Sequence, residues 1–135
     1  VNPVAENPDE ELRRFEEKIE AGAHFAMTQP IFDPEHWEIF LKRLGGKSPV
    51  PVVVGLWPLT SYKQALRLNN EVPGIVIPEA TLSEMKQAGD AARERGFALA
   101  RKMLDWARTA RGSGIAGAYL IPPFKRYEEI LEMFG

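Results

Sequence analysis

Three short apolar runs, each stopped by a proline, limit what this chain can fold into more than any other feature. Residues 23–29 run into Pro30, residues 51–57 into Pro58, and residues 115–121 into Pro122. The middle run, Pro51-Val52-Val53-Val54-Gly55-Leu56-Trp57, is apolar on both faces, as a covered parallel strand must be. Helix signals separate the runs. Strands that alternate with helices require parallel pairing and right-handed crossovers.

Those helix signals come from capping chemistry and apolar spacing. Asn7-Pro8-Asp9-Glu10 reads as an N-cap, a proline in the first turn and a glutamate three residues on. Leu12, Phe15 and Ile19 supply its apolar stripe, and Gly22 ends it. Asp33-Pro34 caps a second helix with Trp37, Phe40, Leu41 and Leu44 inward, closed by Gly45-Gly46. Thr60 or Ser61 caps a third helix through Gln64 and Leu68. Residues 69–79, with Pro73, Gly74 and Pro78, read as an irregular connection. Thr81-Leu82-Ser83-Glu84 reads as a capping box for a short helix ending at Gly89. Asp90 is expected to cap the longest helix, to about Arg111, with Phe97, Leu99, Met103, Leu104 and Trp106 among its buried positions. Gly112-Ser113-Gly114 makes a turn before the last strand, and a short helix over residues 127–134 closes the chain.

Three parallel strands make a poor free-standing sheet, because both outer strands expose unpaired edges. The expected setting is a piece of a larger (βα) barrel or wound sheet. A length of 135 residues suits one domain, and 44% apolar residues suit a globular one. The net charge of −2, with 17 basic residues interspersed among 19 acidic ones, gives no case for nucleic acid or an anionic membrane. The absence of cysteine excludes disulfides, thiolate zinc sites and cysteine nucleophiles, and fits a cytoplasmic protein. A first residue of valine rather than methionine leads us to expect sequence upstream.

The strand ends carry the candidate chemistry. In a barrel, Thr28-Gln29-Pro30, Leu56-Trp57-Pro58 and Ile121-Pro122-Pro123 would lie together on the catalytic face. Gln29 and Gln64 each offer donors and an acceptor on one planar head, which suits a heterocycle such as a pterin. The bland alternatives are a strand-end cap for Gln29 and an exposed helix position for Gln64. Glu11 and Lys18, seven residues apart, share one face of the first helix, fit either for a cofactor's hydroxyls and phosphates or for solvent. His24 and His36 lack partners at metal-ligand spacing and read as core or surface histidines. Met27, Met85, Met103 and Met133 read as core filler. No Ser-His-Asp set, P-loop or GxGxxG occurs.

Taken together, these residues resemble a known family. The stretch Gly22-Ala23-His24-Phe25-Ala26-Met27-Thr28-Gln29-Pro30-Ile31-Phe32-Asp33 is similar to the "GAxxxxTQxxFD" strand of methylenetetrahydrofolate reductases. Gly55-Leu56-Trp57-Pro58-Leu59-Thr60-Ser61-Tyr62-Lys63-Gln64-Ala65 resembles the strand and helix that follow it. Asn70-Glu71-Val72-Pro73-Gly74-Ile75 and Pro122-Pro123-Phe124-Lys125-Arg126-Tyr127 look like the subgroup often fused to a homocysteine S-methyltransferase module.

The resemblance implies an α/β fold in which residues 1–135 form the C-terminal three-strand portion of a (βα)8 TIM barrel with extra helices. It implies FAD as cofactor, NADH or NADPH as electron donor, and reduction of 5,10-methylenetetrahydrofolate to 5-methyltetrahydrofolate. Gln29 would then bind the pterin, Gln64 would lie against the folate, and Leu68 would stand where the family often has an aromatic near the substrate. Asn2, Glu11, Lys18 and Thr28 would fall on the flavin side. The last strand departs from the family's "YTLNR" ending: Ile121 replaces the tyrosine, and Lys125 or Arg126 is left to meet the folate tail. The family's catalytic glutamate comes from a first strand with no match here, so the isolated chain is expected to be inert and prone to aggregate. The rest of the barrel is the required partner, and homo-oligomer formation is left open. The alternative reading is a non-catalytic scaffold module that kept the barrel's surface.

Overall fold

The computed structural model describes residues 1–123 and 126–134. The chain runs α1 (Pro8–Glu20), β1 (Ala26–Pro30), α2 (Pro34–Arg43), β2 (Val52–Leu56), α3 (Tyr62–Glu71), α4 (Glu79–Ala88), α5 (Ala92–Thr109), β3 (Ile115–Leu120) and α6 (Tyr127–Phe134). The three strands form one parallel sheet in the order β1-β2-β3, with helices between them. Such a unit is consistent with part of a barrel-like fold.

Two of the expected caps form as read. The Asn7 side chain accepts the Glu10 N–H at 3.1 Å, and Asp33 accepts the Glu35 N–H at 2.9 Å. For α3 it is Ser61, not Thr60, that accepts the Gln64 N–H at 3.0 Å. The end of α1 explains why β1 begins at Ala26 rather than Ala23. Gly22, at φ 102°, turns the chain left-handed, and the Gly22 and Ala23 N–H groups donate back to Ile19 and Lys18 carbonyls. Ala23 therefore belongs to the helix stop and not to the sheet.

Two expected caps do not form. The helix α4 starts at Glu79, directly after Pro78, whose fixed φ leads into the first turn without any side-chain cap. Thr81 is already inside that turn, so it cannot be the cap. Asp90 caps nothing either: Gly89 at φ 53° breaks α4, and a 3-10 turn over Gly89–Ala91 carries the chain straight into α5. The long helix stops at Thr109, short of Arg111, which opens another 3-10 turn.

One face of the sheet is covered. Val52, Val54, Leu56 and Ile115 are buried with Phe15 of α1, Trp37 and Phe40 of α2, and Met103 and Leu104 of α5. Phe40 meets Phe15 edge-on at 6.0 Å and Trp37 at 5.8 Å between ring centroids, and the Trp37 indole donates to the Ser113 carbonyl at 3.1 Å. A second core joins Leu59, Ala65, Leu68, Ile75, Leu82 and Met85 around α3 and α4. The two meet where α5 closes on the chain after β2. Gly96 lies so near the Leu59 backbone that a Cβ there would collide with the Leu59 carbonyl.

The other face is open. Met27, Val53 and Gly117 form one row across it, and Gly55 and Tyr119 another. Met27 is 46% exposed. At the outer edge of β1, Val1 continues the ladder: its amine donates to the Met27 carbonyl at 2.8 Å, and its carbonyl accepts the Gln29 N–H at 2.9 Å. That is the bonding of a parallel neighbour. The outer edge of β3 has no strand partner among the described residues. No described helix is long and apolar enough to cross a membrane.

Candidate functional site

The C-terminal end of β1 is where the sheet stops being regular. The β1–β2 register shifts between Met27 and Pro30. There the Gly55 N–H donates to the Thr28 hydroxyl at 3.0 Å. The Thr28 carbonyl accepts the Tyr119 phenol, at 2.6 Å, across the width of β2. Gly55 makes that reach possible, since a Cβ at that position would stand 2.5 Å from the phenol oxygen. Partial burial raises the Tyr119 pKa above its usual value, so the phenol remains a donor at neutral pH.

Gln29 follows directly and is exposed at this strand end. Its neighbours are Asn2 and Gly74: a Cβ built on Gly74 would lie 3.1 Å from the Asn2 amide nitrogen and 4.0 Å from the Gln29 side chain. Gly74 holds φ 84° in the loop after α3, a conformation that suits glycine and lets the loop close on this corner. Asn2 is itself tied down, its N–H donating to the Glu11 carboxylate at 2.8 Å and its side-chain oxygen accepting the Val4 N–H at 3.2 Å. Asn2 thus stands between the Glu11 carboxylate and the corner that holds Gly74 and Gln29.

The remaining expected site residues are placed as follows. Thr28 is 2% exposed, and its hydroxyl is used within the sheet. The Gln64 side-chain oxygen accepts both the Thr60 N–H at 2.7 Å and the Thr60 hydroxyl at 2.9 Å. Its NH2 group alone is then left to face a ligand. Leu68 is 6% exposed, within the α3–α4 core. Lys18 is exposed on α1. Arg126 is exposed and pairs with Glu129 at 3.2 Å. Lys125 lies outside the described residues. His24 is exposed, while Nδ1 of His36 is buried without a partner. No cluster of metal-ligating side chains occurs among the described residues.

One group at the strand ends had no signal in the pattern. Tyr119 sits in an ordinary strand run, and only its alignment with Gly55 in the sheet reveals its use. The Trp57 indole N–H is buried at the end of β2 with no partner. Phe32, Leu59, Leu99 and Met103 line an apolar cleft beside that residue.

The family model for methylenetetrahydrofolate reductase matches residues 1–121. The chain belongs to the methylenetetrahydrofolate reductase family. Among curated relatives, it is 26% identical over 116 residues to the 5,10-methylenetetrahydrofolate reductase of Escherichia coli, covering 85% of this chain and 39% of that protein. With methylenetetrahydrofolate reductase 1 of Schizosaccharomyces pombe it shares 25% identity over 133 residues, 94% of this chain and 21% of the relative. The chain therefore spans about two fifths or less of the length of these two relatives. Its fold superposes with a TM-score of 0.63 and 18% identity on a Clostridium thermocellum protein described as binding two copies of 5-methyl-5,6,7,8-tetrahydrofolic acid, covering 94% of this chain and 49% of that one. The reductase match includes the shifted end of β1, the Ser61-capped helix and all of β3.

Proposed function

We propose that this chain forms the C-terminal, folate-facing part of a flavin-dependent methylenetetrahydrofolate reductase built on a (βα)8 barrel. Family membership supports that reading, and one structural observation carries it to a site. Gln29 stands exposed at the end of β1, beside Asn2 and Gly74, on the face that no helix covers. In a closed barrel that end is the catalytic mouth. The tetrahydrofolate bound by the structural relative is in keeping with a folate ligand here.

Each residue then has a part. The Gln29 amide, with both donors and its acceptor, reads the pterin edge. Gln64 contributes a donor alone, because Thr60 holds its oxygen. Leu68 contributes by packing α3, and Thr28 by fixing the strand end through its hydroxyl. Arg126 or Lys125 would supply positive charge to the folate tail. On the flavin side the donor set fits FAD: Glu11 has one carboxylate oxygen bonded to Asn2 and a second for a ribityl hydroxyl, and the exposed Lys18 ammonium suits a phosphate. Bound FAD would supply hydride transfer from NADH or NADPH to 5,10-methylenetetrahydrofolate, giving 5-methyltetrahydrofolate. The general acid would come from the strands that complete the barrel. The motifs at residues 70–75 and 122–127 favour the subgroup fused to homocysteine S-methyltransferase. We place the protein in the cytoplasm.

The test uses the protein with its barrel complete. Purified material should carry visible flavin absorbance that NADH or NADPH bleaches anaerobically and that methylenetetrahydrofolate then restores. Flavin that bleaches and never recovers would point to a different flavoenzyme. No flavin, even after added FAD, would overturn the reductase reading and leave the scaffold module.

A further inference from the structure

The irregular end of β1 is a built device, and Tyr119 is its least expected part. In a regular parallel ladder, backbone groups alone hold neighbouring strands. Here two side chains bond to the ladder as well. The Thr28 hydroxyl accepts the Gly55 N–H, and the Thr28 carbonyl accepts the Tyr119 phenol from two strands away. Register shifts of this kind re-aim the next side chain. The next side chain is Gln29. Its own N–H is held on the opposite side by the Val1 carbonyl at 2.9 Å, so the peptide before Gln29 is gripped from both flanks. The space for the phenol exists only because residue 55 is glycine.

We infer that Tyr119 is a positioning residue for Gln29: by clamping the Thr28 carbonyl over Gly55, it sets the direction from which the Gln29 amide meets its ligand. The inference rests on the folate reading of the same site and names a residue outside the family motifs noted above. It makes a paired demand. Tyr119→Phe removes only the hydroxyl and keeps the ring, while Gly55→Ala keeps the hydroxyl and pushes it away. Both should misdirect Gln29 in the same way.

The experiment uses the barrel-complete protein and follows each half-reaction separately. Tyr119→Phe and Gly55→Ala should each raise the KM for methylenetetrahydrofolate by about tenfold, the scale of one lost hydrogen bond to a buried carbonyl. Flavin bleaching by NADH or NADPH should stay as it was. In the Gln29→Ala background, Tyr119→Phe should add nothing further, because its effect runs through Gln29. Equal losses in both half-reactions, or full additivity with Gln29→Ala, would overturn the inference and leave Tyr119 a structural tyrosine. If Gly55→Ala fails to fold, Tyr119→Phe decides alone. If the unaltered protein never turns over folate, the reductase reading fails by itself. Crystal structures of the unaltered and Tyr119→Phe proteins then decide: a moved Gln29 amide supports the positioning role, and an unmoved one overturns it.

Discussion

On its covered face the sheet presents Val52, Val54, Leu56 and Ile115 to a layer of Phe15, Trp37, Phe40 and Met103. On its open face it carries Met27, Gln29, Val53, Gly55, Gly117 and Tyr119. The first set is large, apolar and tightly interlocked. The second includes glycines and polar heads, with a hydrogen bond spanning three strands where packing would otherwise be. The contrast puts the packing that stabilises the fold on one face and, on the function proposed above, recognition on the other. A substitution should therefore report on which face it sits by what it damages.

The largest effect is expected from the covered face. Trp37→Ala deletes a fully buried indole and its bond to the Ser113 carbonyl, and should cost about 3–5 kcal/mol in a urea melt. An effect below about 1 kcal/mol would mean that the core does not depend on this layer. Next comes the junction of the two cores. Gly96→Ala drives a methyl into the Leu59 carbonyl and should cost about 1–3 kcal/mol by the same assay, as overpacking does. Ser61→Ala removes the cap of α3 and should cost about 1 kcal/mol. It sharpens the comparison, because α3 carries Gln64 as well as core side chains.

The smallest stability effect is expected from the open face and appears only at high pH. The folded Tyr119 pKa is raised above the unfolded value of 10.0, so burial of the neutral phenol contributes fully below that value. The contribution is lost as pH rises through the folded pKa. Thermal melts above about pH 10 should fall more steeply for the unaltered protein than for Tyr119→Phe. Parallel curves would mean that the phenol is not held as described.

Much of the covered face could be read from local signals. Asn7 and Asp33 announce their helices within three residues, and the proline-stopped runs give the strands and their parallel pairing. The failures were local signals pre-empted by a neighbour. Thr81 has capping chemistry, but Pro78 has already started the helix; Asp90 has it too, but no free helix end follows Gly89. The open face was legible only in part. Gln29 stands out beside its proline. The bond between Tyr119 and Thr28 joins residues 91 apart in sequence, and no spacing rule connects them. Nor could the sequence show that Thr60 would hold the Gln64 oxygen, since that depends on how the turn after β2 closes.

The division between the faces is tested most directly by Gln29→Ala in the protein with its barrel complete, with melting and both half-reactions measured on one preparation. The expected result is stability within about 0.5 kcal/mol of the unaltered protein, flavin bleaching unchanged, and the folate step slowed by roughly tenfold to a hundredfold. A variant that melts early, or one that reduces folate at the original rate, would contradict it.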